Sequence, residues 1–276
     1  LSSFGGINLG YSGLQAHQQA LETTGQNIAN ANNEAYSRQQ VLMKATMPLY
    51  GAAFSNPTGV GMFGTGVAVD AIQRIRDVFI DNRIISENKS AGYWSKMEQL
   101  THQLELIYNE PSDNGLSAAL DKFWQSLQNL ANAEGAAEQA AARMLVIENG
   151  NTLTTAVNSL YTQFQELGGK GGYADSNNAI DHEIKVIIQN VNAAAKEIAE
   201  LNKAILSAQG AGKRPNDLLD RRDELVLKLS RYANVTVTTL DSDDYRVTFG
   251  GLVIAQGVNY HELEARPDTN GNLRIY

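Results

Sequence analysis

Eight apolar residues, Ile180, Ile184, Ile187, Val191, Ala194, Ile198, Leu201 and Ile205, follow one another in steps of 4-3-4-3-4-3-4. No other feature of the chain constrains its fold as tightly. A repeat averaging 3.5 residues keeps one apolar line on one face of an α-helix and does not fit the period of two that a strand needs. Sustained over almost four heptads, it predicts a helix of about 30 residues and ~45 Å with a face that must be covered. The cover is either the rest of this chain or a second molecule, which would make the segment the seam of a coiled-coil dimer.

A thinner version of the pattern opens the chain. Ile7, Leu14, Leu21 and Ile28 are spaced by seven, with Gly10, Gly13, Ala20 and Ala31 beside them and Gln15, Gln18, Gln19, Glu22 and Gln26 on the other face. A stripe this narrow suits close approach of one other helix. It predicts half of a coiled coil; the alternative is a solvent-edge helix on a globular core. The segment ends in Asn27, Asn30, Asn32 and Asn33, followed by Tyr36. Asparagine is a mediocre helix former favoured at caps and turns, because its amide competes for nearby backbone groups.

Further helices are expected over 74–109 (Met97, Leu100, Leu104, Ile107), 115–133 (Leu116, Leu120, Phe123, Leu127, Leu130) and 136–167 (Leu153, Val157, Leu160, Phe164, Leu167), the last kinked at Gly150. A shorter one follows in NDLLDRRDELVLKLSRY, with Asn216 as its cap and Asp217 complementing its dipole. Asp220, Arg222 and Asp223 read as helix-capping and inter-helix salt-bridging residues. Asp217 with Arg221 and Glu224 with Lys228 are i,i+4 pairs worth a few tenths of a kcal/mol, of order ~0.3, each.

Residues 37–72 look irregular or extended, with the alternation Val67, Val69, Ala71 and the glycine-rich SNPTGVGMFGTG; GGKGG at 168–172 is a loop. From residue 234 the character changes to hairpin strands: VTVTTL, the turn DSDD, YRVTF, the turn GG and LVIAQ. The expected fold is mainly α: an elongated bundle of long helices with an N-terminal coiled-coil-type helix and a small β portion beginning near residue 234. The expected divisions are an N-terminal helix over 1–40, a glycine-rich connector over 41–73, a helix bundle over 74–233 and a β-rich start over 234–276. The sheet has barely begun when the chain stops, which reads as a fragment of a longer protein.

Chemistry is conspicuously thin. Gly59-Val60-Gly61-Met62-Phe63-Gly64 fits GxGxxG, but no strand precedes it and no helix follows, as pyrophosphate binding requires. Gly210-Ala211-Gly212-Lys213 lacks the first glycine and the Ser/Thr of a phosphate loop. His17, His102, His182 and His261 form no ligand spacing, cysteine is absent, and no GxSxG elbow occurs. No catalytic, cofactor or metal residues are therefore assigned. A net charge of −8 argues against nucleic acid as a partner, and no apolar run is long enough to insert in a membrane.

Three stretches carry a resemblance. Leu14-Gln15-Ala16, Ala20-Leu21-Glu22-Thr23-Thr24, Asn27-Ile28-Ala29-Asn30-Ala31-Asn32 and Tyr36-Ser37-Arg38-Gln39 together resemble the N-terminal signature of bacterial flagellar rod, hook and hook-associated proteins. The Ser-Arg-Gln ending looks most like the hook-associated protein 1 family of the hook–filament junction. Gly66-Val67-Ala68-Val69 leading into Ile72, Arg74, Asp77 and Phe79 is similar to that family's connector and second helix, and Asn216-Asp217-Leu218-Leu219-Asp220-Arg221-Arg222-Asp223-Glu224-Leu225 resembles a motif of its helical domain.

The resemblance implies a structural subunit rather than an enzyme. It would be exported through the flagellar secretion channel without a cleaved signal, lie outside the cell, and assemble helically with itself, the hook protein and the adjacent hook-associated junction protein. It implies Ile7, Leu14, Leu21 and Ile28 as anchors of an inner coiled coil, with Asn27, Asn30, Asn32 and Tyr36 bonding backbone and neighbouring subunits. Two departures stand out. Where the family writes Asn-Thr-x-Gly-Tyr, this chain has Asn32-Asn33-Glu34-Ala35-Tyr36, so either the turn differs here or Asn33 takes the left-handed position. The family's C-terminal helix, which pairs with the N-terminal one, is missing, and an unpartnered stripe is expected to fray or to pair with another molecule.

Overall fold

The computed structural model describes residues 3–47, 64–108, 110, 112–113, 115–168, 178–239, 244–268 and 273–276. Residues 59–63 of the GxGxxG stretch, 169–172 of the GGKGG loop and 241–243 of the DSDD turn lie outside these. The fold is mainly α. The helices are α1 (Ser3–Ala29), α2 (Val78–Tyr108), α3 (Leu116–Ala131), α4 (Ala136–Gly168), α5 (Ala179–Gly210) and α6 (Asn216–Ser230).

The chain divides into two compact units. The first takes residues 1–88 and 194–260, the second 89–193 and 261–276. Each unit draws on two separated stretches, and α2 and α5 contribute to both.

In the first unit, β1 (Gln39–Ala45) and β2 (Val67–Arg74) form an antiparallel ribbon with a bulge at Leu42/Met43. The connector expected over 41–73 is thus regular at both ends. Strands β3 (Val235–Thr239), β4 (Tyr245–Phe249), β5 (Leu252–Gln256) and β6 (Asn259–Tyr260) form an antiparallel meander in that order. Gly250 and Gly251 join β4 to β5 with φ of 59° and 92°. Both central residues of so tight a hairpin turn lie in the left-handed region that glycine enters without strain. Tyr245, Val247 and Phe249 alternate into the core, which Leu225, Leu229, Ile254 and Ala255 help to fill.

The heptad seam of α5 is covered by its own chain. Val191 and Ile198 are fully buried and Ile205 nearly so. The deepest line is rotated from the apolar one, running Ile188, Val191, Ala195, Ile198, Asn202, Ile205, with a polar residue inside it. The Asn202 amide donates to the Gly257 carbonyl at 2.7 Å and accepts from Arg222 Nη1 at 2.9 Å. This covering removes the reason to read 191–205 as an intermolecular dimer seam, while Ile180, Ile184 and Ile187 before it are half-buried.

In the second unit, α3 packs on α4. Helix α4 runs through Gly150 without interruption. The Phe123 ring of α3 lies against this position, 3.4 Å from where a Cβ would stand, an ordinary contact distance. On the first part of α5, Asn192 accepts from the Leu263 N–H and donates to its carbonyl, at 2.8 and 2.9 Å. Strands β7 (Ala265–Pro267) and β8 (Leu273–Ile275) close a small hairpin.

Candidate functional site

Helix α1 has two faces of opposite character. Its small and polar side, including Ser12, Ala16, Thr23 and Asn27, packs toward the β1–β2 ribbon, with Ala16 and Thr23 buried. The approach is closest at Gly66, whose φ is 122° and where a Cβ would stand 2.1 Å from Ser12 Oγ. The Val67 N–H donates to that same oxygen at 3.4 Å. The helix is continuous from Ser3 to Ala29 and braced from this side. Its aliphatic side faces outward, with Ile7, Leu14, Leu21 and Ile28 between 64% and 72% exposed.

The asparagines serve the helix end in different ways. Asn27 mimics a strand partner: its Nδ2 donates to the Gln39 carbonyl at 2.8 Å and its Oδ1 accepts from the Gln39 N–H at 2.9 Å. The same oxygen accepts from the Tyr36 hydroxyl at 3.0 Å. Asn30 bonds back to the Gln26 carbonyl, and Asn33 Oδ1 accepts from the Ala35 N–H in an Asx turn, with Tyr36 N–H closing onto the Asn33 carbonyl. Asn32 is exposed. Asn27, Asn30 and Tyr36 thus make bonds within their own chain, the backbone part of the role expected of them.

Below this turn lies a polar network between β2, the start of β1 and α6. Arg74 Nη1 donates to Asp220 Oδ1 and to Asp223 Oδ2, both at 2.7 Å. Asp220 Oδ2 accepts from the Ser37 N–H at 3.1 Å. Arg76 grips Asp81 with two nitrogens at 2.9 and 2.8 Å and donates to Ser37 Oγ at 3.1 Å. Burial works against the Arg76 charge, but the Asp81 hydrogen bond and the Asp223 carboxylate outweigh it and hold the guanidinium above its ordinary range. Burial raises the Tyr36 hydroxyl, helped by Asp220 and then Asp217.

Two assignments need correction. Asn216 is not a cap: it is the first residue of α6, and its amide donates sideways to Gln39 Oε1 and the Ile72 carbonyl at 3.1 and 3.0 Å. Pro215 occupies the cap position, where its missing N–H costs nothing. Asp220 and Asp223 tie α6 to a strand, because Arg74 reaches both from β2; Arg76, just beyond β2, comes within 3.5 Å of Asp223. Arg222 does reach a helix, through Asn202 of α5, and also lies 3.4 Å from the centroid of the Tyr245 ring. Burial lowers the Arg222 pKa and pushes the Tyr245 hydroxyl up to about 12. Asp217 stands in the first turn of α6. Arg221 pairs with Glu197 and Glu224, at 2.7 and 2.8 Å, and Lys228 with Glu224 at 2.6 Å.

Sequence reading missed Asn202, Tyr245 and Arg76 as members of this site. For Asn202 a signal existed: a lone amide beside an aliphatic seam marks a position where a polar partner fixes register. Among the described residues, no group of three or more His, Asp or Glu side chains could hold a metal, and no helix is long and apolar enough to cross a membrane.

The three stretches that carried the resemblance therefore meet in one place: Ser37 and Gln39, Ile72 and Arg74, and Asn216, Asp220 and Asp223 are bonded to one another. A family model described as the flagellar hook-associated protein FlgK helical domain matches residues 101–275. The chain belongs to the FlgK family of flagellar hook-associated proteins. A second model, the flagella basal body rod protein, matches residues 7–36, the exposed stripe and its asparagines.

Relatives of the family include flagellar hook-associated protein 1 of Bacillus subtilis, 33% identical over 237 residues and covering 86% of this chain. Its counterpart in Salmonella typhimurium is 34% identical over 267 residues and 95% of the chain, and that of Escherichia coli 33% identical over the same length. The chain spans 44% of the first two relatives and 45% of the third. The solved flagellar hook junction protein FlgK from Burkholderia pseudomallei is 26% identical, with a TM-score of 0.56 over 70% of this chain and 32% of that one.

Proposed function

We propose that this chain is a structural, non-enzymatic part of the bacterial flagellum at the junction of hook and filament. It assembles by helical self-association and joins the two. Its partners are the hook protein, the adjacent hook-associated junction protein and further copies of itself. It works outside the cell and reaches that place through the flagellar secretion channel without a cleaved signal.

Family membership supports the reading, and one observation carries it: the outward stripe of α1. A helix braced on one side by its own ribbon still leaves four large aliphatic side chains in water at heptad spacing. Each forgoes ~1.5–3 kcal/mol of burial. A neighbouring helix in a heterologous, helically repeating assembly recovers that energy. Ile7, Leu14, Leu21 and Ile28 are the proposed interface, with Asn32 beside them; Asn27, Asn30 and Tyr36 hold the turn that presents it. A hook or rod protein is the alternative that the match over 7–36 leaves room for, and the helical-domain match over 101–275 speaks for the junction.

Electron microscopy of cells deleted for the gene, with an assay of flagellin in the medium, tests the reading. Bare hooks with flagellin shed outside are expected. Complementation with Leu14→Lys/Leu21→Lys should fail although the protein folds and is secreted. Normal filaments after deletion overturn the assignment, and loss of the hooks themselves moves it to hook or rod.

A further inference from the structure

We propose that the outer face of α2 between Tyr93 and Tyr108 is a docking surface for a partner protein that presents a basic amphipathic helix. The inference is independent of the junction assignment and lies wholly within the second unit. Over this stretch the inner side of α2 is half-buried through Gly92, Lys96, Leu100, Gln103 and Ile107. The apolar arc does not stop there. Tyr93, Met97 and Leu104 continue it round the helix, all of them exposed, Trp94 at 67% exposure widens it, and Tyr108, half-open, ends it with its ring edge to face on Phe164 at 5.4 Å. The Tyr93 and Trp94 rings meet edge to face with centroids 5.3 Å apart. Tryptophan and tyrosine are the residues that most often anchor protein interfaces, because each covers a large area at little conformational cost.

The edge of the arc specifies the partner's charge. At 100° per residue, Glu98 and Glu105 lie one heptad apart just beyond Trp94 and Tyr108, both exposed. His102 stands beside them, 3.7 Å from Glu105. Their setting is acidic as a whole. The second unit holds eight Lys and Arg against fifteen Asp and Glu, whereas the first holds fourteen against fifteen, so nearly all of the chain's −8 resides in the second. A second copy of this face would bring like charge against like, which costs affinity and slows encounter. A helix whose apolar stripe is edged by Lys or Arg matches both the aromatic arc and the two glutamates.

The probe is a synthetic amphipathic peptide of about 18 residues, Leu at heptad positions and Lys at the flanks, with a Glu-flanked peptide of the same pattern as control. The protein is the full chain carrying Trp124→Phe, an exposed position, so that Trp94 is the sole tryptophan. The Lys peptide is expected to blue-shift Trp94 emission saturably. Binding should weaken ~10-fold or more in Glu98→Lys/Glu105→Lys and fall steeply between ~0.05 and ~0.5 M salt. Glu134→Lys/Glu138→Lys, an equal change of charge elsewhere in the unit, should leave it within ~2-fold. Equal binding of the Glu peptide, no Trp94 response to the Lys peptide, or equal weakening by the two charge-reversed pairs each overturns the proposal. A blue shift that grows with protein concentration alone also overturns it, since the occupant is then a second copy.

Discussion

Replacing Asp220 with asparagine separates charge from shape at the centre of the first unit. Asp220 accepts from Arg74 through one oxygen and from the Ser37 N–H through the other, with its side chain 8% exposed. Asparagine keeps one acceptor and turns an NH₂ toward the remaining donor. A charge-assisted hydrogen bond lost in this way costs ~1.5–3 kcal/mol. The cost stays below the ~3–5 kcal/mol of a fully broken buried pair, because Arg74 keeps Asp223 at 2.7 Å.

We therefore expect ~2 kcal/mol, a ~30-fold rise in the opening constant of the unit. Tryptophan fluorescence is the wrong probe, since Trp94 and Trp124 both lie in the second unit. Hydrogen exchange read by mass spectrometry on peptides from β1, β2 and α6 reports the right region, with α3 and α4 as internal reference. Unchanged exchange in β1, β2 and α6, or equal acceleration in α3 and α4, would refute the argument. Asp220→Asn/Asp223→Asn should cost more than the two single changes together, because only then is Arg74 left unpaired.

Three further outcomes follow from the same geometry. Gly66→Ala combines a positive φ with a collision against Ser12 Oγ and should lower the melting temperature, by ~1–3 kcal/mol for the backbone alone; adding Ser12→Gly should recover part of it by removing the obstacle but not the strain. Asn202→Leu completes an aliphatic seam yet should destabilise by ~1–3 kcal/mol in urea unfolding, because Arg222 and the Gly257 carbonyl lose their partner; a more stable protein would refute this. The Tyr245 hydroxyl is raised from 10.0 to about 12, so its neutral form supports the fold fully below pH 10 and that support is lost as pH climbs towards 12. Tyr245→Phe should flatten this part of the stability profile.

What could be read from sequence was periodic. The heptads of α5, the amphipathic run of α3 and the alternation of β4 follow from side-chain spacing alone, and so do their positions in the chain. Partnership was harder. The α5 repeat reads equally well as a dimer seam, and only the meander and α6 lying over it decide otherwise. Asn216 sits where a cap is statistically favoured, but Pro215 takes that position and leaves the asparagine free to bond the ribbon. The roles of Arg74 and Asp220 depend on a pairing between distant segments, for which the local sequence of neither carries a signal. The stripe of α1 was legible as apolar; that the helix would turn Ser12, Ala16 and Thr23 toward the ribbon instead was not, since small polar faces bury well only against a backbone shaped to receive them.

The distance along the chain between the members of the network has a temporal consequence. Ser37 and Asp220 are separated by 183 residues, and Arg74 and Asp220 by 146. A chain that emerges from its N-terminus can form α1 and the β1–β2 ribbon early, but the ribbon then displays Arg74, whose α6 carboxylates have yet to appear. Closing so long a loop is slow, though its entropy grows only with the logarithm of length. The α3–α4 hairpin, built from neighbours in sequence, can form in the meantime. The network around Ser37 and Arg74 is therefore completed late, and α6 is the piece whose arrival closes it.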